Sequence, residues 1–192
     1  HLVPEELEQL ERLSLTGKHM KLQKSLDAFL FCCYAGMRYS DFTNLSKKNI
    51  VDINQETWLI YKSVKTGTEV RLPLYLLFAG KGIVILNKYR NNLEDFFRLR
   101  DNSNINKDLI IIAKLAGLSK KISFHTARHT NATLLIYNGV NITTVQKLLG
   151  HKSVKTTQVY TNIMDMTIVH DLEKMKQAAL GIKKKTDNSF NK

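Results

Sequence analysis

The residues best suited to chemistry lie in three short runs: Ser123-Phe124-His125-Thr126-Ala127-Arg128-His129, Leu149-Gly150-His151 and Thr156-Thr157-Gln158-Val159-Tyr160. Arginine grips phosphate oxygens through two parallel N–H bonds. Histidine exchanges a proton near neutral pH. Tyrosine can act as a covalent nucleophile. Together they match the needs of phosphodiester cleavage by a side chain. Charge on the phosphoryl oxygens must be neutralised, the nucleophile must lose a proton, and the leaving oxygen must gain one. Tyr160, one of seven tyrosines, is unremarkable alone. A phenol is only ~0.1% ionised at pH 7, so reaching phenolate costs about 4 kcal/mol. Arginines, a lysine and imidazoles around it offset much of that cost.

Two further candidates come earlier. Arg38 stands in Ala35-Gly36-Met37-Arg38-Tyr39-Ser40-Asp41, where a buried helix is expected to end. Lone arginines are ordinarily solvated surface charges, but Arg38 and Arg128 are both flanked by apolar or small residues. Lys65 opens Lys65-Thr66-Gly67-Thr68-Glu69-Val70-Arg71-Leu72-Pro73-Leu74 at a predicted hairpin tip. From there an ammonium can reach a groove as a proton donor, although a solubilising turn lysine fits that stretch equally well. His125 and His129 have the i, i+4 spacing of a zinc helix. The glutamate of H-E-x-x-H is missing and Arg128 lies beside them, so no metal is expected. His151, after a Leu-Gly turn, is expected to be an exposed, aimed imidazole.

The elements that must position these groups follow from periodicity. Helical spacing predicts helices over 3–13 and 21–35, the second largely buried and stopped by Gly36. Ser40 is expected to cap a short helix over 41–45. Strands are expected over 50–53, 57–63 and 68–72, with turns at Asn54-Gln55-Glu56 and Thr66-Gly67 and an edge at Pro73. Helical spacing returns over 74–93 (weak at Gly80-Lys81-Gly82), 106–116, 125–137, 143–149, 155–163 and 167–180. Residues 101–106 read as a polar loop and 183–192 as a basic, disordered tail. The expected fold is one mainly α domain with a small three-stranded antiparallel sheet, an α+β arrangement.

Bulk properties agree with an anionic partner. The 192 residues are 43% hydrophobic, enough for one real core, and carry a net charge of +12. An excess of this size favours nucleic acid first and a membrane surface second. No apolar run reaches the ~20 residues of a spanning helix. The opening His1-Leu2-Val3-Pro4-Glu5-Glu6 lacks the pattern of a signal peptide. Cys32 and Cys33 are adjacent and read as buried free thiols in a reducing compartment, so a cytoplasmic location is expected.

These motifs, in this order, resemble the catalytic domain of the tyrosine recombinase (integrase) family of phages and mobile elements, most nearly its bacteroidete variants. Gly36–Asp41 matches G-(L/M)-R-x-S-(D/E), Lys65–Leu74 the hairpin lysine and its Leu-Pro-Leu strand, and His125–His129 H-x-x-R-H. Leu149–His151 matches L-G-H, and Thr156–Tyr160 the T-T-x-x-Y that carries the nucleophile. Agreement runs over roughly residues 3–180. The resemblance implies the fold of DNA breaking-rejoining enzymes over 1–182. It also implies roles. Tyr160 attacks the scissile phosphate to form a 3′-phosphotyrosyl link, Arg38 and Arg128 clamp the non-bridging oxygens, and Lys65 protonates the departing 5′ oxygen. His125 handles the nucleophile's proton and His151 bonds the phosphate. Asp41 and His129 support from behind, and Lys62, Lys121, Lys147 and Lys152 contact DNA. No cofactor or metal is implied. The implied partners are double-stranded DNA, a homotetramer that exchanges its C-terminal helix (167–180) between protomers, and accessory DNA-bending or excision proteins. The DNA-gripping N-terminal domain usual in the family is expected to be absent from this chain. Ala127 and Asn131 replace a commoner leucine and aromatic, which reads as a packing difference.

Two other readings fit part of the sequence. A type IB topoisomerase-like enzyme uses the same groups to relax DNA. A helix-turn-helix regulator over 131–149, turning at Asn138-Gly139, leaves Arg38, Lys65 and Tyr160 unexplained.

Overall fold

The computed structural model describes residues 1–160 and Leu172, the side chain of Tyr160 excepted. The domain is built around α2 (Gln23–Ala35), which is buried continuously from Ser25 to Ala35. A helix apolar on all sides must be wrapped by others. Here α1 (Pro4–Glu11), α4 (Lys81–Lys88), α5 (Leu93–Phe97), α6 (Asn102–Leu115) and α7 (Phe124–Tyr137) all pack against it. Gly36 ends α2 at φ 66°, a left-handed cap that glycine adopts without strain. α3 (Tyr39–Thr43) follows at once and plants Phe42 among the buried rings of Phe31, Phe96 and Phe97, 5.3–5.9 Å between centroids. That anchor fixes Arg38 and Asp41, which flank the start of α3.

β1 (Ile50–Ile53), β2 (Glu56–Lys62) and β3 (Glu69–Pro73) form an antiparallel meander, with Ile50 opposite Leu59 and Tyr61 opposite Val70. Period-two alternation turns Leu59, Tyr61, Val70 and Leu72 inward. Pro73 closes the edge strand as expected, opposite Trp58. α8 (Ile142–Leu149) packs on both α7 and β3, so the sheet and the C-terminal helices meet. Cys32 and Cys33 are buried free thiols, and burial pushes both thiol pKa values up.

Several expectations need correction. Residues 101–106 are not a loop: α6 begins at Asn102, and the Asp101 carboxylate accepts the Asn104 N–H at 3.0 Å as its cap. The helix expected over 74–93 is broken. Phe78 and Ala79 take positive φ of 48° and 54°, α4 spans only Lys81–Lys88, and α5 is a separate turn capped by Asn92. Ser40 does not cap α3; Arg38 holds that position, with no side-chain cap bond. α2 starts at Gln23, after a 3-10 turn over Gly17–Leu22. Two 3-10 turns, Val154–Thr156 and Gln158–Tyr160, stand where a helix over 155–163 was expected. Residues 161–163, the helix expected over 167–180 (Leu172 excepted) and the tail over 183–192 lie outside the described residues.

Candidate active site

Three predicted groups share one groove. Arg38, Lys65 and His125 line a cavity of about 340 Å³ together with Tyr39, Ser40, Asn102 and Phe124. Each comes from a different element: the α2–α3 junction, the β2–β3 turn and the first turn of α7.

Arg38 is held from behind. Its Nη1 lies 3.5 Å from Ser63 Oγ and 3.7 Å from the Asp41 carboxylate, whose side chain is fully buried. Asp41 also accepts the Val64 N–H at 2.8 Å and the Ser63 hydroxyl at 3.4 Å. One carboxylate therefore aims the first arginine and fixes the turn that carries Lys65. At its other end the turn is tied by Thr66, whose hydroxyl donates to Gly150 O at 3.1 Å.

Arg128 is 2% exposed, an unusual place for a fixed charge. Its Nη1 donates to Gly36 O at 2.7 Å and its Nη2 to Leu149 O at 2.6 Å. The guanidinium thus joins the glycine before Arg38 to the Leu-Gly-His turn. Gly150 sits at φ 64° so close to the sheet that a Cβ there would lie 2.6 Å from Val70 Cγ2. Asn131 is more than a packing difference. Its amide donates to Cys33 O at 2.9 Å and Tyr34 O at 3.0 Å, carbonyls left without helical partners where α2 ends. Ala127 is fully buried and remains a packing residue.

His151 is not exposed, contrary to expectation: 8% of it reaches solvent. Its Nδ1 is 2.9 Å from the buried Thr157 hydroxyl. Burial first, then Arg128 and Arg38, bring its pKa down to about 4, so the ring is neutral at pH 7. His125 stands at the surface with its ring against His129, centroids 4.5 Å apart and edge to face. Partial desolvation, then Arg128, Arg38 and Lys65, lower the His125 pKa. Desolvation, His125, the amino terminus and Arg128 lower that of His129. The five predicted groups among the described side chains therefore form one electrostatic cluster. Its excess of fixed positive charge suits an oxyanion.

Tyr160 ends the last described turn, which packs against α7; its side chain lies outside the described residues. Lys62, Lys121, Lys147 and Lys152 are all exposed and none lines the groove. Sequence reasoning missed Ser63, Thr66, Asn131 and Thr157 as supports. Only Ser63 had a signal: it continues the inward alternation of Leu59 and Tyr61.

The phage integrase family matches this chain over residues 1–166. The chain belongs to the phage integrase family. As a member it is 30% identical over 181 residues to a tyrosine recombinase of Pseudothermotoga lettingae, covering 92% of this chain and 60% of the relative. It is 29% identical over 192 residues to the tyrosine recombinase XerC of Rickettsia prowazekii, covering 95% and 60%. It therefore spans about 60% of the length of these curated relatives. A crystal structure of XerA recombinase aligns with a TM-score of 0.70 at 26% identity, over 91% of this chain and 64% of that one. The fold is also that of a lambda integrase dimer bound to a core site, at a TM-score of 0.64 and 21% identity, over 83% and 58% of the two chains.

Proposed function

We propose that this chain is the catalytic domain of a site-specific DNA recombinase that cuts and rejoins strands through Tyr160. The observation that carries the reading is the shared cationic groove walled by Arg38, Lys65 and His125, with Arg128 stapled to the segments on either side of it. The Tyr160 oxygen attacks phosphorus as its proton leaves towards His125, which is neutral near pH 7 and free to accept it. Arg38 and Arg128 hold the non-bridging oxygens, and Lys65 delivers a proton to the departing 5′ oxygen. In the tautomer in which the Thr157 hydroxyl donates to Nδ1, the His151 proton sits on Nε2 and can bond a phosphoryl oxygen. The 3′-phosphotyrosyl bond keeps the energy of the broken link for rejoining, so no nucleotide is consumed. Fixed cations supply the charge neutralisation.

The same reading makes double-stranded DNA the substrate and a tetramer on two duplexes the working assembly, with residues 167–180 docking between protomers. Integration or excision of a mobile element, accessory DNA-bending proteins and a cytoplasmic setting complete it. The relatives named above are recombinases, which favours strand exchange over relaxation as the output and leaves the regulator reading without support.

The test is a duplex from the element's end, nicked just 3′ of the cleavage position, so that the cut strand diffuses away and the adduct is trapped. Wild type should give a protein–DNA adduct on a denaturing gel. Tyr160→Phe should give none while binding the duplex equally well. Equal loss of binding in that variant would remove the covalent role of Tyr160.

A further inference from the structure

Tyr61 takes no part in the chemistry above, yet it lies against the groups that perform it. It is the inward residue of β2 between Leu59 and Ser63, and Ser63 contacts both Asp41 and Arg38. Across the sheet it pairs with Val70, the side chain that meets the backbone at Gly150. Gly150 follows Leu149, whose carbonyl holds Arg128. Tyr61 thus shares a strand face with Ser63, which touches the Asp41–Arg38 pair, and stands opposite Val70, which meets the turn that anchors Arg128. Only 5% of the residue is exposed, and its hydroxyl makes no hydrogen bond among the described residues. Burial, then the Asp41 carboxylate, push the phenol pKa up; Arg128 and Arg38 oppose, so all three charges act on this oxygen.

A buried hydroxyl without a partner is destabilising, and phenylalanine fills the same space without that penalty. The oxygen therefore answers a need other than folding. A phenol can donate to a carboxylate while accepting from a guanidinium. Arg38 is loosely held, with its contacts at 3.5 and 3.7 Å, and catalytic hydrogen bonds of this kind tighten when the ligand arrives.

We propose that Tyr61 is a positioning residue, whose hydroxyl donates to Asp41 and accepts from Arg128 when a phosphate fills the groove, locking the two arginines into one rigid clamp. It never touches the phosphate. The inference rests on the recombinase reading and adds to it a residue outside the motifs.

The experiment compares wild type, Tyr61→Phe and Tyr160→Phe on the nicked duplex, measuring DNA affinity, the adduct-forming rate at saturating DNA, and thermal stability without DNA. Tyr61→Phe should form adduct about 10-fold more slowly, roughly the loss of one hydrogen bond in a positioning network. Its DNA affinity should be unchanged and its Tm equal to or above that of wild type. A wild-type rate in Tyr61→Phe overturns the proposal and leaves the recombinase reading standing. So does a fall in rate accompanied by a fall in Tm, since that is packing. If wild type itself forms no adduct, the recombinase reading fails and the clamp fails with it. Tyr61→Leu, lacking ring and hydroxyl, should lose both stability and rate, which separates the ring's contribution from the oxygen's.

Discussion

His151 shows how the fold sets the state of one side chain. Buried beside two arginines, it resists protonation until about pH 4. In the unfolded chain an ordinary histidine protonates near pH 6.5. Between those values the unfolded state binds the extra proton, so stability rises with pH and falls as pH drops through this window. The loss from this residue is up to about 3 kcal/mol. His125 and His129, also lowered, act in the same direction. Tm should fall between pH 7.5 and pH 5, and His151→Gln should flatten that slope. Equal slopes in the two proteins would show that His151 is not the group responsible. At this scale the sequence was informative where chemistry demands a residue type: Arg38, Lys65 and His125 line one groove, and the charge of Arg128 reaches His125 beside it. It was silent about exposure. Nothing in Leu-Gly-His says that the imidazole turns inward to Thr157, because that depends on a serine-threonine-rich segment closing over it. Asn131 was equally opaque, since its partners are carbonyls distant in sequence.

Among the elements, the hairpin and the Leu-Gly-His turn depend on each other. Thr66 bonds Gly150 O, and Val70 leaves no room for a side chain at Gly150. Gly150→Ala should destabilise by about 2–5 kcal/mol, combining a left-handed backbone penalty of about 1–2 kcal/mol with overpacking of about 1–3 kcal/mol. Gly117 also has positive φ, at 76°, but faces open space. Gly117→Ala should show only the backbone part, and chemical denaturation of the two variants measures the difference. Equal losses would mean that Val70 simply moves aside. The strands with their turns were legible because burial on one face imposes a period of two, and α2 because it is a long apolar run stopped by a glycine. The kink at Phe78 and Ala79 was not, since neither residue favours positive φ and tertiary packing imposes it. α6 was misplaced at its start because Asn102, Ser103 and Asn104 look loop-like until Asp101 is recognised as the cap.

Across the whole molecule, a net charge of +12 is the most general property. DNA binding through phosphate contacts should weaken steeply and linearly in log–log coordinates as salt rises. Replacing Lys62, Lys121, Lys147 or Lys152 singly with glutamine should lower that slope by about 0.9 for each lysine that touches a phosphate. Filter-binding titrations across a salt series measure it, and a lysine whose removal leaves the slope unchanged lies off the DNA face. The single α-rich domain with its small sheet was legible at this scale, because alternation and helical spacing occupy separate stretches of chain.

The two carbonyl bonds of Arg128 also bear on the order in which this protein is made. The ribosome releases Arg38 and Lys65 long before Arg128, and Arg128 before Leu149 and Tyr160. Arg128 reaches its position only by closing on Gly36 from one side and Leu149 from the other. A growing chain therefore does not complete this cationic cluster until its later segments have emerged and folded. Under the strand-cutting role proposed above, a half-made copy would lack the second arginine of the clamp and the nucleophile together.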